Sequence, residues 1–321
     1  MLDLDLYDRV WLSGRPPVQR VIAEGFLRFD YRKVKLEVEG LEHLGDRPVV
    51  FAMNHTDNFN YWPLQYRLHL EDRYTATWVK GKNYENPARR WFMLTTNNLP
   101  VASRGYVVTR DFLSVTGRRP TADEYRALRD AVDAIEDPPP GSVPREVLTK
   151  PRDMLGRRFW PHREGYAEAV EALMNLFHGR FVDLNRRALG MGLNILVFPQ
   201  GSRSIRLSRG HIGIAQLALH LDVPIVPVGC SGSDIVYPGN SMRAKPGHIV
   251  YRIGEPMSDW GDLAPKEPFA PFTREAEEKH RDGFQAVVDR VMDAIDELVD
   301  EPYRYTDDHL SDGTEGTHRF V

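Results

Sequence analysis

Residues 193–228 have the sequence LNILVFPQGSRSIRLSRGHIGIAQLALHLDVPIVPV, in which two short apolar runs flank a helical pattern. The run Leu193–Phe198 ends at a turn that contains proline and glycine, which is typical of a buried strand. Ile212–Leu221 has the apolar spacing of a helix, and Ile225–Val228 is a second buried strand. A strand, a helix and a further strand in succession predict an α/β fold.

The same alternation extends from this stretch toward both ends of the chain. We predict further strands at Val34–Val38, Pro48–Met53, Thr75–Val79, Leu99–Ser103 and His248–Ile253. We predict further helices at Val18–Phe29, Pro87–Thr96, Ala122–Ile135, Tyr166–Phe177, Asp183–Leu189 and Arg274–Asp300. A length of 321 residues fits two domains, or one large α/β domain with additions.

Three segments differ from this pattern and set the predicted domain boundaries. Residues 1–32 are predicted to form an N-terminal amphipathic helical segment, residues 33–301 the main domain, and residues 302–321 an acidic, mobile tail. Residues 106–165, approximately, are rich in proline and arginine and contain one helical pattern. We interpret this long stretch as an insertion that lies over the core.

The amphipathic helix at Val18–Phe29 has two interpretations that the sequence leaves open. It packs on the domain, or it lies in a membrane interface with the help of nearby bases, namely Arg15, Arg20, Arg28, Arg32 and Lys33. No apolar stretch approaches the ~20 residues of a membrane-spanning helix, and the acidic N-terminus lacks the order of a signal peptide. We therefore predict a cytoplasmic protein, and we leave open a peripheral association with the inner face of the membrane.

Composition and charge exclude several classes of function. The single cysteine, Cys230, allows neither an intrachain disulfide nor a cysteine-built metal site. The eleven histidines lack the H-E-x-x-H spacing, so we predict no metal ligands. A net charge of −4 provides no basic field for nucleic acid, so we predict no nucleic-acid partner.

The first of three stretches that could carry chemistry is residues 54–63, NHTDNFNYWP. His55 follows a buried strand, and an imidazole in this place can act as a general base near neutral pH. The ring needs a partner that sets its tautomer, and the nearby candidates are Asp57 and Asn60. Each of these two could equally serve as the N-cap of the helix that follows.

The second and third stretches also follow predicted strands. In residues 198–204, FPQGSRS, the turn with Gln200, Gly201, Ser202 and Arg203 can offer backbone N–H groups and a guanidinium to a phosphate or carboxylate. Residues 100–104, PVASR, place Arg104 at a strand end. Taken singly, each stretch has an ordinary structural explanation: a structural histidine, a strand-to-helix connection and a solvated arginine.

Taken in order, these stretches resemble the glycerolipid acyltransferases, the family of lysophosphatidate and glycerol-3-phosphate acyltransferases. Residues 35–55, KLEVEGLEHLGDRPVVFAMNH, resemble the approach to the family's first motif, which is Asn-His with an acid five positions after the histidine. LPVASR and FPQGSRS are similar to the second motif and to the third, F-P-E-G-[TS]-R-S. RGHIGIAQLALHLDVPIVPVG is similar to the fourth. The resemblance spans about residues 33–256 and implies an α/β fold with a mixed central sheet flanked by helices.

The resemblance also implies a reaction. An acyl chain would move from acyl-CoA or acyl-carrier protein to a hydroxyl of a lysophospholipid-like or glycerol-phosphate-like acceptor, with no further cofactor. His55 would remove the hydroxyl proton, and Arg104 and Arg203 would hold phosphate. Gln200 would position the acceptor, together with Gly201 and Ser202.

Two positions depart from the family pattern, because Asn60 and Gln200 stand where the family has an acid and a glutamate. An asparagine accepts a hydrogen bond but does not stabilise an imidazolium by charge. We therefore place Asp57 ahead of Asn60 as the partner of His55, or expect weakened catalysis. A catalytically silent acyl-chain or phospholipid-binding protein on the same fold is the alternative. A thioesterase would leave Arg104 and Arg203 without a purpose.

Overall fold

A computed structural model of the protein describes residues 1–239 and 241–306. Its strands are β1 (Val34–Glu39), β2 (Val50–Met53), β3 (Thr75–Lys80), β4 (Asn98–Val101), β5 (Arg152–Met154), β6 (Arg157–Phe159), β7 (Asn194–Val197), β8 (Ile225–Ser231) and β9 (Gly247–Ile253). Its α-helices are α1 (Leu4–Asp8), α2 (Pro17–Val21), α3 (Arg28–Asp30), α4 (Trp62–Leu70), α5 (Pro87–Thr95), α6 (Arg104–Thr116), α7 (Ala122–Ala134), α8 (Arg145–Thr149), α9 (Tyr166–Gly190), α10 (Gly213–Leu221), α11 (Ser233–Val236) and α12 (Arg274–Leu298).

The main sheet has seven strands in the order β1-β9-β8-β2-β7-β3-β4. β2 pairs in parallel with β7 on one side and β8 on the other, while β8 and β9 are antiparallel. The predicted α/β fold with a mixed sheet is therefore confirmed. Every residue of β2 and β7 is buried, as expected for parallel strands covered on both faces. Because these two strands run in the same direction, the loops that follow them meet at one edge of the sheet.

The chain divides into two compact units. The larger unit contains Leu12–Trp78 and, of the described chain, residues 185–306. The smaller unit contains Met1–Trp11 and Val79–Leu184, so the stretch interpreted as an insertion lies inside it. In the larger unit α4 packs against β1, and α12 packs against β8 and α10.

The N-terminal segment departs from one continuous amphipathic helix. Its helix is interrupted by a π-helical turn, Ile22–Leu27, between α2 and α3. The first eleven residues belong to the smaller unit, where Leu2 and Leu6 are fully buried. Residues 1–32 therefore contribute to two cores, which a helical period alone does not reveal.

The stretch from about 106 to 165 is more regular than its proline content suggested. It contains most of α6, all of α7 and α8, and the hairpin of β5 and β6. Arg152 in the hairpin forms a two-pronged, buried ion pair with Asp111 of α6, with N–O distances of 2.8 and 2.6 Å. That pair attaches the hairpin to α6, and its partners lie too far apart in sequence for a local pattern to predict.

Two further boundaries predicted from the sequence differ from those in the structure. The helix predicted at Asp183–Leu189 is the last part of α9, which runs without interruption from Tyr166 to Gly190. The predicted tail begins too early, because Tyr303 is buried and its hydroxyl donates to Asp234 at 2.7 Å. The rest of the predicted tail, residues 307–321, lies outside the described residues. Among the helices of the described chain, none is both long and apolar enough to cross a bilayer.

Candidate active site

The loop that follows β2 is anchored at its first residue, Asn54. The Nδ2–H of this buried side chain donates to the Cys230 carbonyl at 2.9 Å, and its Oδ1 accepts from the Cys230 N–H at 2.8 Å. Both hydrogen bonds join the end of β2 to β8, so the direction in which the loop leaves the sheet is defined. Burial raises the pKa of the Cys230 thiol well above its usual value, which agrees with a packing role for this cysteine.

The next residue, His55, is held by Asn60. The Nδ1 of His55 lies 3.2 Å from the Oδ1 of Asn60. Asn60 is fully buried, its Nδ2–H donates to the Asn54 carbonyl at 2.7 Å, and its own carbonyl accepts from the Tyr251 hydroxyl. The carbonyl of Asn54 requires a donor, so the amide nitrogen of Asn60 faces it and the amide oxygen faces His55.

This orientation of Asn60 sets the tautomer of the histidine. An amide oxygen only accepts, so Nδ1 of His55 must carry the proton in the neutral ring. Nε2 is then the nitrogen with the lone pair, which is the form that a general base requires. A neutral amide is therefore sufficient to orient the ring, although it adds no charge that would stabilise the imidazolium.

Asp57 has a different task from the one we expected. Its Oδ1 accepts from the Phe59 N–H at 2.7 Å, and its Oδ2 accepts from the Thr56 hydroxyl at 3.0 Å. This local turn directs the carboxylate to the backbone two residues ahead, so our preference for Asp57 over Asn60 is corrected. Burial raises the pKa of Asp57, and the hydrogen bond from the Phe59 N–H opposes that shift.

The loop after β7 joins the His55 loop through the backbone of His55. The His55 N–H donates to the Oε1 of Gln200 at 3.1 Å, and the His55 carbonyl accepts from the Ser204 N–H at 2.9 Å. The imidazole also stacks on the ring of Phe198, with 4.0 Å between ring centroids and 19° between planes. Two adjacent strands of the sheet thus supply one arrangement in which the imidazole is held by its backbone, its face and its Nδ1.

Gln200 acts through both ends of its amide. Its Nε2–H groups donate to the Arg206 carbonyl at 3.2 Å and to the Ser208 hydroxyl at 3.3 Å, and only 3% of the residue is exposed. A glutamate would accept from His55 but would have no proton for the Arg206 carbonyl. We expected Gln200 to position the acceptor, whereas these contacts make it a brace between His55 and the loop at 206–208.

Gln200→Glu is expected to lower the free energy of unfolding by about 1–3 kcal/mol, because a buried carbonyl loses its donor. Urea denaturation monitored by fluorescence measures this change. Gln65→Glu is the control, because the Nε2–H of Gln65 donates to the Thr75 hydroxyl at 2.7 Å and a hydroxyl can donate to a carboxylate in turn. A Gln200→Glu protein as stable as the wild type would contradict the bracing role.

The turn itself requires a glycine. Gly201 has a φ of +68°, and a Cβ at this position would lie 2.7 Å from the Cδ2 of His211. His211 could not be predicted from the sequence, since no motif or spacing distinguishes it from the other histidines. Beside Gly201, Ser202 is half-buried and Arg203 is exposed.

Arg104 lies in the smaller unit and is the first residue of α6 rather than the end of a strand. β4 ends at Val101, and the Ser103 side chain caps α6 by accepting from the Tyr106 N–H at 3.1 Å. The guanidinium of Arg104 forms an ion pair with Glu171 of α9, with 3.2 Å between Nη2 and Oε2. Among the predicted site residues, the structure thus brings together His55, Asn60 and Gln200 with its turn, all in the larger unit.

Comparison with known proteins agrees with the motifs. No family model matches the chain. Over 82 residues it is 30% identical to a 1-acyl-sn-glycerol-3-phosphate acyltransferase of Cocos nucifera, a match that covers 24% of this chain and only 27% of the coconut protein. The crystal structure of the 1-acyl-sn-glycerophosphate (LPA) acyltransferase PlsC from Thermotoga maritima was also found to be similar. The alignment covers 85% of this chain and 80% of the PlsC chain, at 17% identity and a TM-score of 0.41. The four ordered motifs and the coconut match make this chain similar to the glycerolipid acyltransferases over part of its length.

Proposed function

We propose that this protein is an acyltransferase that moves an acyl chain from acyl-CoA or acyl-carrier protein to the hydroxyl of a lysophospholipid-like or glycerol-phosphate-like acceptor. The observation that carries the proposal is the contact between Nδ1 of His55 and Oδ1 of Asn60, which leaves the lone pair on Nε2. In this tautomer the imidazole is ready to take a proton from a hydroxyl.

The reaction needs no group beyond the two substrates. Nε2 of His55 takes the acceptor's hydroxyl proton while the oxygen attacks the thioester carbonyl carbon. The new C–O bond forms, the C–S bond breaks, and the departing thiolate takes the proton from the imidazolium. Arg203, exposed on the turn after β7, is suited to hold a phosphate of the acceptor or the donor.

The direct test is consumption of the thioester by the purified protein. Palmitoyl-CoA and palmitoyl-acyl-carrier protein are each supplied with lysophosphatidylethanolamine, lysophosphatidate or glycerol 3-phosphate, and thiol release and acylated product are measured. Acceptor-dependent thiol release with a matching product supports the proposal. Binding of the acyl chain without thiol release from either donor would instead favour the catalytically silent binding protein, and thiol release without acylated product would favour a thioesterase.

A lipid acceptor also requires that the protein contact a lipid surface. The helix of residues 17–30 is suited to make that contact. Ala23 and Leu27 are buried in the larger unit, whereas Val21 and Phe29 are 73% and 60% exposed. The bases Arg20, Arg28, Arg32 and Lys33 are exposed along the same segment. An exposed apolar pair among bases is suited to the interface of an anionic bilayer.

The double variant Val21→Glu with Phe29→Glu is expected to weaken binding to vesicles that contain anionic lipid by tenfold or more. Burial of two such side chains contributes about 1.5–3 kcal/mol each, and the new charges remove that contribution. Cosedimentation with the vesicles measures the loss. Leu70→Glu, at an exposed leucine elsewhere in the larger unit, is the control, and equal pelleting of both variants and the wild type would rule out this surface.

A further inference from the structure

The loop that carries His55 is attached to the sheet at both of its ends. At its start, the Asn54 side chain forms two hydrogen bonds with the backbone of Cys230, at 2.9 and 2.8 Å. At its end, the carbonyl of Asn60 accepts a hydrogen bond from the hydroxyl of Tyr251. Cys230 on β8 and Tyr251 on β9 are opposite each other in the antiparallel pairing of these strands. Two neighbouring positions of the sheet therefore hold the two ends of the loop.

Tyr251 is well suited to fix the position of another group. It is fully buried in the larger unit, and its strand pairs with β1 on one side and with β8 on the other. A closely packed ring on a strand that is paired on both sides has little freedom to move. Burial raises the pKa of Tyr251 well above its usual value, so the hydroxyl keeps its proton and is a donor at neutral pH.

The contact between Asn60 and His55 depends on where the backbone of Asn60 lies. The Nδ2–H of Asn60 donates to the Asn54 carbonyl at 2.7 Å, whereas its Oδ1 lies 3.2 Å from Nδ1 of His55. The second distance is at the upper end of the usual range for a hydrogen bond. A small displacement of the Asn60 backbone therefore breaks the contact with the imidazole first. Without that contact, no hydrogen bond to Asn60 keeps the proton on Nδ1.

We propose that Tyr251 is a positioning residue, which donates to the Asn60 carbonyl and thereby keeps the Asn60 amide oxygen against His55 and the lone pair of the imidazole on Nε2. This inference rests on the proposed acyl transfer, in which that lone pair takes the proton of the acceptor. Tyr251 acts through Asn60 and does not bind either substrate. Its hydroxyl therefore affects the chemical step rather than the binding of donor or acceptor.

The variant Tyr251→Phe removes the hydroxyl and keeps the buried ring, so the core stays packed. We expect kcat for acceptor-dependent thiol release to fall about tenfold, the effect of one lost hydrogen bond, with little change in KM for donor or acceptor. Tyr237→Phe is the matched control, because the equally buried hydroxyl of Tyr237 donates to the Tyr31 hydroxyl at 2.8 Å instead. Asn60→Ala removes the amide through which Tyr251 acts, so combining it with Tyr251→Phe should cause no further loss of kcat.

A measurement on the imidazole separates this inference from the reaction. Nitrogen-15 NMR of histidine-labelled protein distinguishes a protonated from an unprotonated ring nitrogen, and the spectrum of His55→Ala assigns the signals of His55. We expect Nδ1–H in the neutral ring of the wild type and a mixture of both tautomers in Tyr251→Phe. If no acceptor is acylated but the tautomer shifts in this way, acyl transfer fails and the role of Tyr251 stands.

Three results would overturn the role of Tyr251. The first is a wild-type protein in which Nε2 of His55 carries the proton, which needs no variant to detect. The second is a folded Tyr251→Phe protein that keeps the wild-type tautomer. The third is a loss of kcat that is equally large in Tyr237→Phe, or that adds fully to the loss in Asn60→Ala, because the hydroxyl would then not act through Asn60.

Discussion

His55→Ala is expected to lower the rate of acyl transfer by about 10²- to 10⁴-fold, the usual contribution of a general base. The loss follows from the geometry, because Nε2 of His55 is the lone-pair nitrogen of a ring held by Asn60 and Phe198. The measurement is acceptor-dependent thiol release at saturating donor. KM for the donor should change little, since the substitution removes a proton acceptor rather than a binding group.

The fold of His55→Ala should remain intact, so the lost rate can be assigned to the ring. The hydrogen bonds to Gln200 and from Ser204 use the backbone of His55, and they survive in alanine. The lost stacking on Phe198 costs about 0.5–1.5 kcal/mol, which thermal unfolding will register. His248→Ala, at an exposed histidine of β9, is the control. Wild-type turnover by His55→Ala with every acceptor would show that another group is the base.

Asn60→Asp is expected to raise turnover about tenfold and to lower stability at the same time. A carboxylate in this place accepts from the Nδ1–H of His55 with a full negative charge and stabilises the imidazolium. A hydrogen bond to a charged group is worth about 1 kcal/mol more than a neutral one, which corresponds to nearly a tenfold change in rate. The kcat measured per folded molecule reports this gain.

The cost in stability arises at Asn54. The Nδ2–H of Asn60 donates to the Asn54 carbonyl at 2.7 Å in a fully buried place, and an aspartate offers an oxygen there instead. We expect a loss of about 1–3 kcal/mol in the free energy of unfolding. Mildly acidic pH should restore part of it, because a protonated carboxyl can donate to the carbonyl.

Asp57→Asn also tests whether Asn60, and not Asp57, is the partner of His55. The carboxylate of Asp57 holds a local turn, so its replacement by an amide should change stability by about 1 kcal/mol or less and leave kcat within a few-fold of the wild type. If Asp57→Asn abolishes transfer and Asn60→Asp has no effect on it, Asn60 is not the residue that serves His55.

The choice between Asp57 and Asn60 lay beyond sequence reasoning for a definite reason. Both are a few residues from His55, and charge alone favours the aspartate. Which of the two contacts His55 depends on the hydrogen bonds that the other polar atoms of each residue form. The carbonyl of Asn60 is bound by Tyr251 of β9, which lies 191 residues further along the chain. No local pattern contains that contact.

Local patterns did predict the strands that position the site. β2 and β7 are short apolar runs bounded by turn residues, and they are evident because burial on both faces requires an apolar residue at nearly every position. The helix α5 was likewise predicted to within one residue, since Pro87 and the Asn86 cap mark its start. The helix α6 was missed, because the prolines that follow it suggested an irregular insertion.

The order of the motifs along the chain was sufficient to show a resemblance to a family and to select His55, Gln200 and Arg104 as candidate site residues. The tasks of the last two residues depend on partners that only the folded chain brings to them. Gln200 is a brace because His55 and the loop at 206–208 lie on its two sides, and Arg104 is neutralised because α9 places Glu171 beside it. A strand or a helix follows from neighbours within a few residues, whereas the charge and hydrogen bonding of a buried group depend on contacts across 67 residues for Arg104 and 145 for Gln200.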